Sequence, residues 1–292
     1  MAKFLITGAK GQVGHCLTQQ LTGKAEILAI DRDELDITDR DAVFNTVRSF
    51  RPDVIINAAA HTAVDKAETE IELSEAINVK GPQYLAEAAN EIGALILHIS
   101  TDYVFNGEGS HEYKESDKTG PQGVYGKTKL AGEIAVQQAN ARSIILRTAW
   151  VFGEHGHNFV KTMLRLAKDR DTLGVVGDQF GGPTYAGDIA KALIEIANQI
   201  LAGKENAFGV YHFTGKPYVS WYEFAKAIFA EAELQNIIEK QPLVSSIATS
   251  DYPTPAKRPA NSRLDLTKVK QVFDVEPSDW QQALKNIKAY KS

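Results

Sequence analysis

The chain has 292 residues, 43% of them hydrophobic and 24% charged, which suits one large α/β domain carrying a smaller lobe. A net charge of -5 argues against the clustered-cation affinity of nucleic-acid binders, and no apolar run approaches the ~20 residues that span a bilayer. The single cysteine, Cys16, excludes an intramolecular disulfide and suits a soluble protein of the reducing cytoplasm, while the apolar start is too short for a secretory leader.

Lys3–Thr7 reads as an apolar strand that leads into Gly8-x-x-Gly11-x-x-Gly14 and an amphipathic stretch, Val13–Leu21. Strand, glycine loop and helix in that order form a dinucleotide cradle. Gly8 allows the tight turn, Gly11 lets the backbone approach a pyrophosphate, and Gly14 permits close packing of helix on strand. The amides at the helix start, around Gln12 and Val13, then face the phosphates.

A second strand, Glu26–Ile30, ends at Asp31-Arg32. An acid there accepts hydrogen bonds from an adenosine ribose, whereas an arginine pairs with a 2′-phosphate, so both NADH and NADPH stay open. Asp36 and Ile37 follow, near the adenine or at the start of the next helix, which Thr38 or Asp39 must cap. That helix runs over Asp39–Phe50, and a third strand, Asp53–Asn57, closes on Ala58, Ala59 and Ala60. These small residues leave room for a flat ligand over the sheet edge or for tight helix packing.

A long helix is expected over Glu70–Ile92, then a fourth strand, Ala94–Ile99, running on into Ser100-Thr101-Asp102-Tyr103. Thr101, at the strand's carboxyl end, is placed to donate a hydrogen bond to a substrate oxygen. The next helix, Val124–Asn140, carries Tyr125 and Lys129 four residues apart and therefore on one face. A free tyrosine titrates near ~10, and a nearby ammonium favours the phenolate. Tyr125 is thus the candidate proton donor to a carbonyl oxygen, with Lys129 beside it and within reach of a nicotinamide ribose.

Ser143–Arg147 is the fifth strand, Leu173–Val176 a candidate sixth, and Ala186–Leu201 a further helix. Beyond Phe208 the rhythm breaks into a short strand, Val210–Phe213, and a helix over Trp221–Ala232 capped by Ser220. An irregular connector, Leu234–Glu239, and Pro242, Pro253, Pro255 and Pro259 precede short helices near Leu266–Phe273 and Ser278–Ala289. The alternation predicts an α/β fold, a doubly wound parallel Rossmann sheet from residues 1–155 and 183–205. A smaller, loop-rich C-terminal α/β substrate lobe, from 156–182 and 206–292, closes over the sheet's carboxyl edge. His155 and His157 lack a third ligand of fitting spacing, so no metal site is expected.

The glycine loop, the Tyr-x-x-x-Lys spacing and the hydroxyl-bearing strand resemble the extended short-chain dehydrogenase/reductases. Residues 57–68, 100–105, 147–151, 178–184 and 258–264 add a more specific resemblance, to the dTDP-4-dehydrorhamnose reductase family, and it covers essentially the whole chain. The resemblance implies reduction of a dTDP-4-keto-6-deoxyhexose to dTDP-L-rhamnose by NADPH or NADH. It implies catalytic roles for Thr101, Tyr125 and Lys129, a sugar site bordered by Val64, Asp102, Tyr103 and Trp150, and Arg258 near the nucleotide diphosphate. Without the resemblance, Arg258 reads equally as part of a solvated basic cluster with Lys257 and Arg263. Some relatives place an acid at the position of Cys16 and use it in a magnesium-linked dimer. A thiol is a poor ligand for an ion that wants hard oxygens, so a homodimer here is expected without that bridge. A related epimerase and a non-catalytic binding subunit are the alternatives; the Thr-Asp-Glu of dehydratase relatives is replaced by Thr101-Asp102-Tyr103.

Overall fold

The computed structural model describes residues 1–290. Strand β1 (Lys3–Thr7) leads to helix α1 (Gln12–Leu21), and β2 (Glu26–Ile30) to α2 (Arg40–Phe50). After β3 (Val54–Asn57) come two short helices, α3 (Val64–Ala67) and α4 (Ile71–Glu75), then α5 (Gly81–Glu91). Strand β4 (Leu95–Thr101), helix α6 (Val124–Ala139) and strand β5 (Ser143–Thr148) complete the amino-terminal part.

All pairings in the main sheet are parallel, in the order β2-β1-β3-β4-β5, with Gly209–His212 as the sixth strand beside β5. The strands are almost wholly apolar because helices cover both faces. Phe4, Ile6, Val54 and Leu97 pack beneath α1 and helix Ala186–Leu201, while Leu5, Ile55 and Ile96 pack beneath α2, α5 and α6. Each such side chain withdrawn from water contributes about 1.5–3 kcal/mol, which makes the sheet a firm platform for what its edge carries. Strand order reverses between β1 and β3, the place where open α/β sheets bind ligands.

A separate core holds the lobe together: Phe152, Met163 and Leu164 meet Phe224, Phe229 and Trp280. Its principal helix, Trp221–Leu234, starts at Ser220, whose hydroxyl and the Glu223 carboxylate cap each other's backbone amides reciprocally.

Several elements differ from the sequence expectation. Thr172–Val176 is a strand, but it pairs with Leu243–Ile247 in a two-stranded ribbon of the lobe and not with the main sheet. Its Leu173 and Val175 are buried while Thr172 and Gly174 are exposed, and a strand with one wet face has no place in a sheet covered on both sides. The sixth place belongs to Gly209–His212, so a boundary at residue 206 leaves an edge strand of the sheet on the lobe's side. Helix Thr267–Phe273 likewise sends Val269 and Phe273 into the sheet's core.

The helix expected over Glu70–Ile92 is divided by a π turn, Ala76–Lys80. Pro82, in the first turn of α5, has no N–H to give to the preceding turn. The wider turn carries the Asn78 side chain inward, where it bonds the backbone of His61 and the hydroxyl of Thr128 on α6. The last expected helix is shorter as well, Trp280–Leu284 followed by a 3-10 turn, Ile287–Tyr290. No helix among the described residues is long and apolar enough to cross a membrane.

Candidate active site

Gly8 has φ +69°, a left-handed backbone, and a Cβ there would lie 2.6 Å from the amide nitrogen of Ala59. Gly14 is equally confined: its Cβ would stand 2.0 Å from the Gly8 carbonyl oxygen, so the close packing it permits is of helix on loop. Gly11 differs. A Cβ there would meet only the Gly8 oxygen at 3.2 Å, which leaves its outer side open. Gly11 is also the residue before α1, and no side chain caps the amides that follow it. N–H groups of a first helical turn have no intrahelical acceptor and suit phosphate oxygens.

Two cavities meet over this loop. One, of about 510 Å³, is lined by Gly8, Asp31, Arg32, Asp36 and Ile37. The other, of about 580 Å³, is lined by Gln12 and Val13 on one side and by Val64, Thr101, Asp102, Tyr103, Tyr125, Lys129, Trp150 and Arg258 on the other. Gly11, Ala58, Ala59 and Ala60 border both. A single trough therefore runs from the end of β2 to the lobe, and the residues expected to be catalytic or to hold cofactor or sugar all line it.

At the β2 end, Asp31 accepts from the Lys10 amide at 2.9 Å and from the Arg32 amide at 2.8 Å. One oxygen thus braces the glycine loop and the other the turn after β2, and Arg32 and Lys10 are the cationic side chains in the cavity wall. Asp39 caps α2 through the Ala42 amide, which settles the helix start. Asp36 takes the Thr38 hydroxyl and amide, and these bonds hold its carboxyl below the usual range.

At the lobe end, Tyr125 and Lys129 lie on the face of α6 turned toward β4. The Lys129 ammonium donates to the Ile99 carbonyl at 2.6 Å, and burial lowers its pKa to about 8, opposed by the Glu133 carboxylate. Burial pushes Tyr125 up to about 12, with the Thr101 hydroxyl opposing and the Asp102 charge adding. Burial of the phenol thus outweighs the lowering expected from Lys129, whose ammonium bonds the Ile99 carbonyl. Tyr125 stays neutral at ordinary pH, the form a proton donor requires.

The Thr101 hydroxyl donates to Asp102 Oδ1 at 3.2 Å and accepts from the Tyr103 amide. Asp102 is buried, and its other oxygen has no partner among the described residues. Burial raises its pKa to about 6, with the neighbouring Ser262 and Thr101 hydroxyls opposing. Beneath this floor, Glu133 accepts from Ser100 and, through both oxygens, from Arg147 at 2.9 and 2.7 Å. Every oxygen of that carboxylate is satisfied, the condition under which a buried ion pair is tolerated.

The lobe supplies an aromatic wall. Trp150 has φ +53° and stacks on Trp221, ring centroids 3.6 Å apart and planes 14° from parallel. A strained backbone of this kind persists only where its surroundings over-determine it, as ligand sites do. Trp221, Gln179, Ser262 and Thr148 also line the cavity; the last three lie in segments that carry the resemblance, but none of the four is a site residue expected from the sequence. Trp221 is visible there only as a helix start; it reaches Trp150 because Val219–Ser220 pairs with Phe180–Gly181. His155 stacks on His15 at 3.6 Å, and no group of three or more His, Cys, Asp or Glu among the described residues gathers as for a metal.

Residues 2–291 match the family model described as RmlD substrate binding domain. A protein of Aggregatibacter actinomycetemcomitans named dTDP-4-dehydrorhamnose reductase is 60% identical over 292 residues, 99% of each chain. Among solved structures, a dTDP-4-dehydrorhamnose reductase from Clostridium acetobutylicum is 42% identical, with a TM-score of 0.90 over 97% of each chain. One from Bacillus anthracis, in complex with NADP, is 35% identical, with a TM-score of 0.90 over 98% of each chain.

Proposed function

The chain belongs to the family of the RmlD substrate binding domain, and from that premise we propose which of its residues hold each ligand and move the proton. It is an NAD(P)H-dependent ketoreductase that converts dTDP-4-dehydrorhamnose to dTDP-L-rhamnose. The residues present fit a dinucleotide: uncapped amides at α1, an open Gly11, and a floor of alanines that no larger side chain interrupts. Gly8, Gly11, Gln12 and Val13 hold the pyrophosphate, Asp36 and Ile37 border the adenine, and Arg32 takes the 2′-phosphate. Ala58, Ala59 and Ala60 underlie the flat length of the cofactor, and Lys129 reaches the nicotinamide ribose.

When bound, the dihydronicotinamide supplies the hydride that reduces the keto carbon. Tyr125 gives its phenolic proton to the keto oxygen as negative charge builds there. Thr101 turns its hydroxyl from Asp102 to the same oxygen, so two donors meet the developing charge. Asp102, released from Thr101, accepts from a ring hydroxyl of the sugar with the oxygen that has no protein partner. Lys129 keeps a positive charge beside the phenolate left on Tyr125. Val64, Tyr103 and Trp150, with Trp221 behind it, wall the deoxysugar, and Arg258 meets the diphosphate.

One observation carries this reading. A neutral phenol lies beside the Thr101 hydroxyl in the wall of the trough that the glycine loop opens onto. The test is NADPH oxidation with dTDP-4-dehydrorhamnose. Tyr125→Phe lowers kcat by about 10²–10⁴-fold, the usual worth of a positioned acid, with far smaller change in substrate affinity. Near-normal turnover of that variant removes Tyr125 as proton donor. Any homodimer forms without a magnesium bridge at Cys16, whose buried thiol is pushed up to about 11 and stays protonated.

A further inference from the structure

Helix α6 carries Tyr125 as its second residue, yet it starts without a cap of its own. Gly123 precedes it and has no side chain to accept the first amides. Glu68 fills that place from 56 residues away: its Oε1 accepts from the Val124 amide at 2.9 Å. Position 123 is shaped for this approach, since a Cβ on Gly123 would lie 2.7 Å from the same oxygen. A carboxylate there both satisfies an orphan donor and faces the positive end of the helix dipole.

The opposite side of the helix start is closed just as tightly. A Cβ on Gly126 would stand 2.2 Å from the Tyr103 carbonyl oxygen, and the rings of Tyr103 and Tyr125 meet edge to face at 5.3 Å. The first turn of α6 is thus clamped between Tyr103 and Glu68. Glu68 itself is anchored, for it directly follows α3, whose Asp65 bonds the Ala256 amide and the Arg258 guanidinium. Glu68 lines neither cavity, so whatever it does for the reaction it does through α6.

We infer that Glu68 is a positioning residue for the proton donor: it caps the catalytic helix from outside and holds the Tyr125 phenol against Thr101. The inference rests on the assignment of Tyr125 as that donor. Loss of the cap frees the Val124 amide to seek water, the first turn frays, and Tyr125 moves with it. Displacement of a reacting group by about 1 Å costs up to roughly 10²-fold in rate.

The experiment measures kcat, both KM values and thermal midpoints for Glu68→Ala, Glu68→Asp and Glu68→Gln, alone and combined with Tyr125→Phe. Glu68→Ala lowers kcat by roughly 10- to 100-fold and leaves both KM values within about twofold. Glu68→Asp, charged but one methylene short, falls similarly, whereas Glu68→Gln, which keeps the accepting oxygen, stays within about threefold of the parent rate. On the Tyr125→Phe background, Glu68→Ala leaves the residual rate unchanged while still lowering the midpoint by roughly 2–4 °C. Parental kcat in Glu68→Ala, or the same fold loss on both backgrounds, overturns the inference. Normal turnover of Tyr125→Phe by itself would instead overturn the assignment on which it rests.

Discussion

Arg258 and Asp65 meet across the mouth of the trough, Nη2 to Oδ2 at 2.8 Å, and the second oxygen of Asp65 takes the Ala256 amide. The loop that presents the guanidinium is thereby fixed to the segment that follows β3. Arg258→Ala is expected to raise KM for the nucleotide sugar by roughly tenfold or more, about 1.4 kcal/mol, with NADPH affinity nearly unchanged. Asp65→Asn shifts the same constant in the same direction by less. Steady-state kinetics with each ligand varied in turn decide it: loss of cofactor binding with an intact sugar KM would show the two ends of the trough reversed.

Arg32 stands in the cavity wall next to an aspartate whose oxygens accept from two backbone amides, that of Lys10 in the glycine loop and that of Arg32 itself. Arg32→Ala should weaken NADPH selectively, leaving NADH nearly as it was, because only the former presents a 2′-phosphate to a guanidinium fork. Parallel KM measurements with the two cofactors check this. Equal losses would mean that Arg32 supports the fold and does not read the phosphate.

The pH profile follows from two buried groups. Asp102 titrates near about 6 and Lys129 near about 8, and the active form needs the carboxylate and the ammonium. For the free enzyme, kcat/KM is expected to rise as Asp102 loses its proton and to fall as Lys129 loses its own, giving a bell between these values. In Asp102→Asn the acid limb disappears and the alkaline limb remains. Retention of both limbs would assign the acid one to another group.

Asp102 also affects stability, with a sign that can be worked out. Folding raises its pKa from the ordinary 3.8 to about 6, so the native state binds that proton more tightly than the unfolded chain. Its charging therefore destabilises the fold as pH rises through this window, by an amount on the order of 3 kcal/mol. Asp102→Asn should melt higher than the parent at pH 7.5 and show no such gain near pH 4, while binding the sugar nucleotide less well. A gain independent of pH would point to packing as its cause.

Much of this was legible in the chain because the signals are local. The change of period from strand to helix across Gly8–Gly14 declares the cofactor loop, and the four-residue spacing of Tyr125 and Lys129 declares a shared face. Local signals also mislead. Thr172–Val176 has the apolar content of a sheet strand, and only its one-sided burial, which depends on Phe224 and Phe229, sends it to the lobe. Lys129 sits at the right spacing to depress Tyr125, but burial of the phenol, which spacing does not reveal, dominates and pushes it up. Trp221 and Glu68 act on residues 71 and 56 positions away, through a strand pair and a helix cap that no window on the sequence contains.

The path of the chain between its cores has a consequence for synthesis. After β5 it enters the lobe core at Phe152, returns to the sheet with Ala186–Leu201 and Gly209–His212, and re-enters the lobe with Trp221–Leu234. It then gives Val269 and Phe273 to the sheet before Trp280, Ile287 and Tyr290 finish the lobe. On a ribosome, the sheet core is complete only once Val275 has emerged and the lobe core only once Tyr290 has, so neither is finished before the other has begun. A nascent chain halted near residue 205 would hold both cores open at once, a substrate for chaperones, and neither half could be expressed alone as one contiguous fragment.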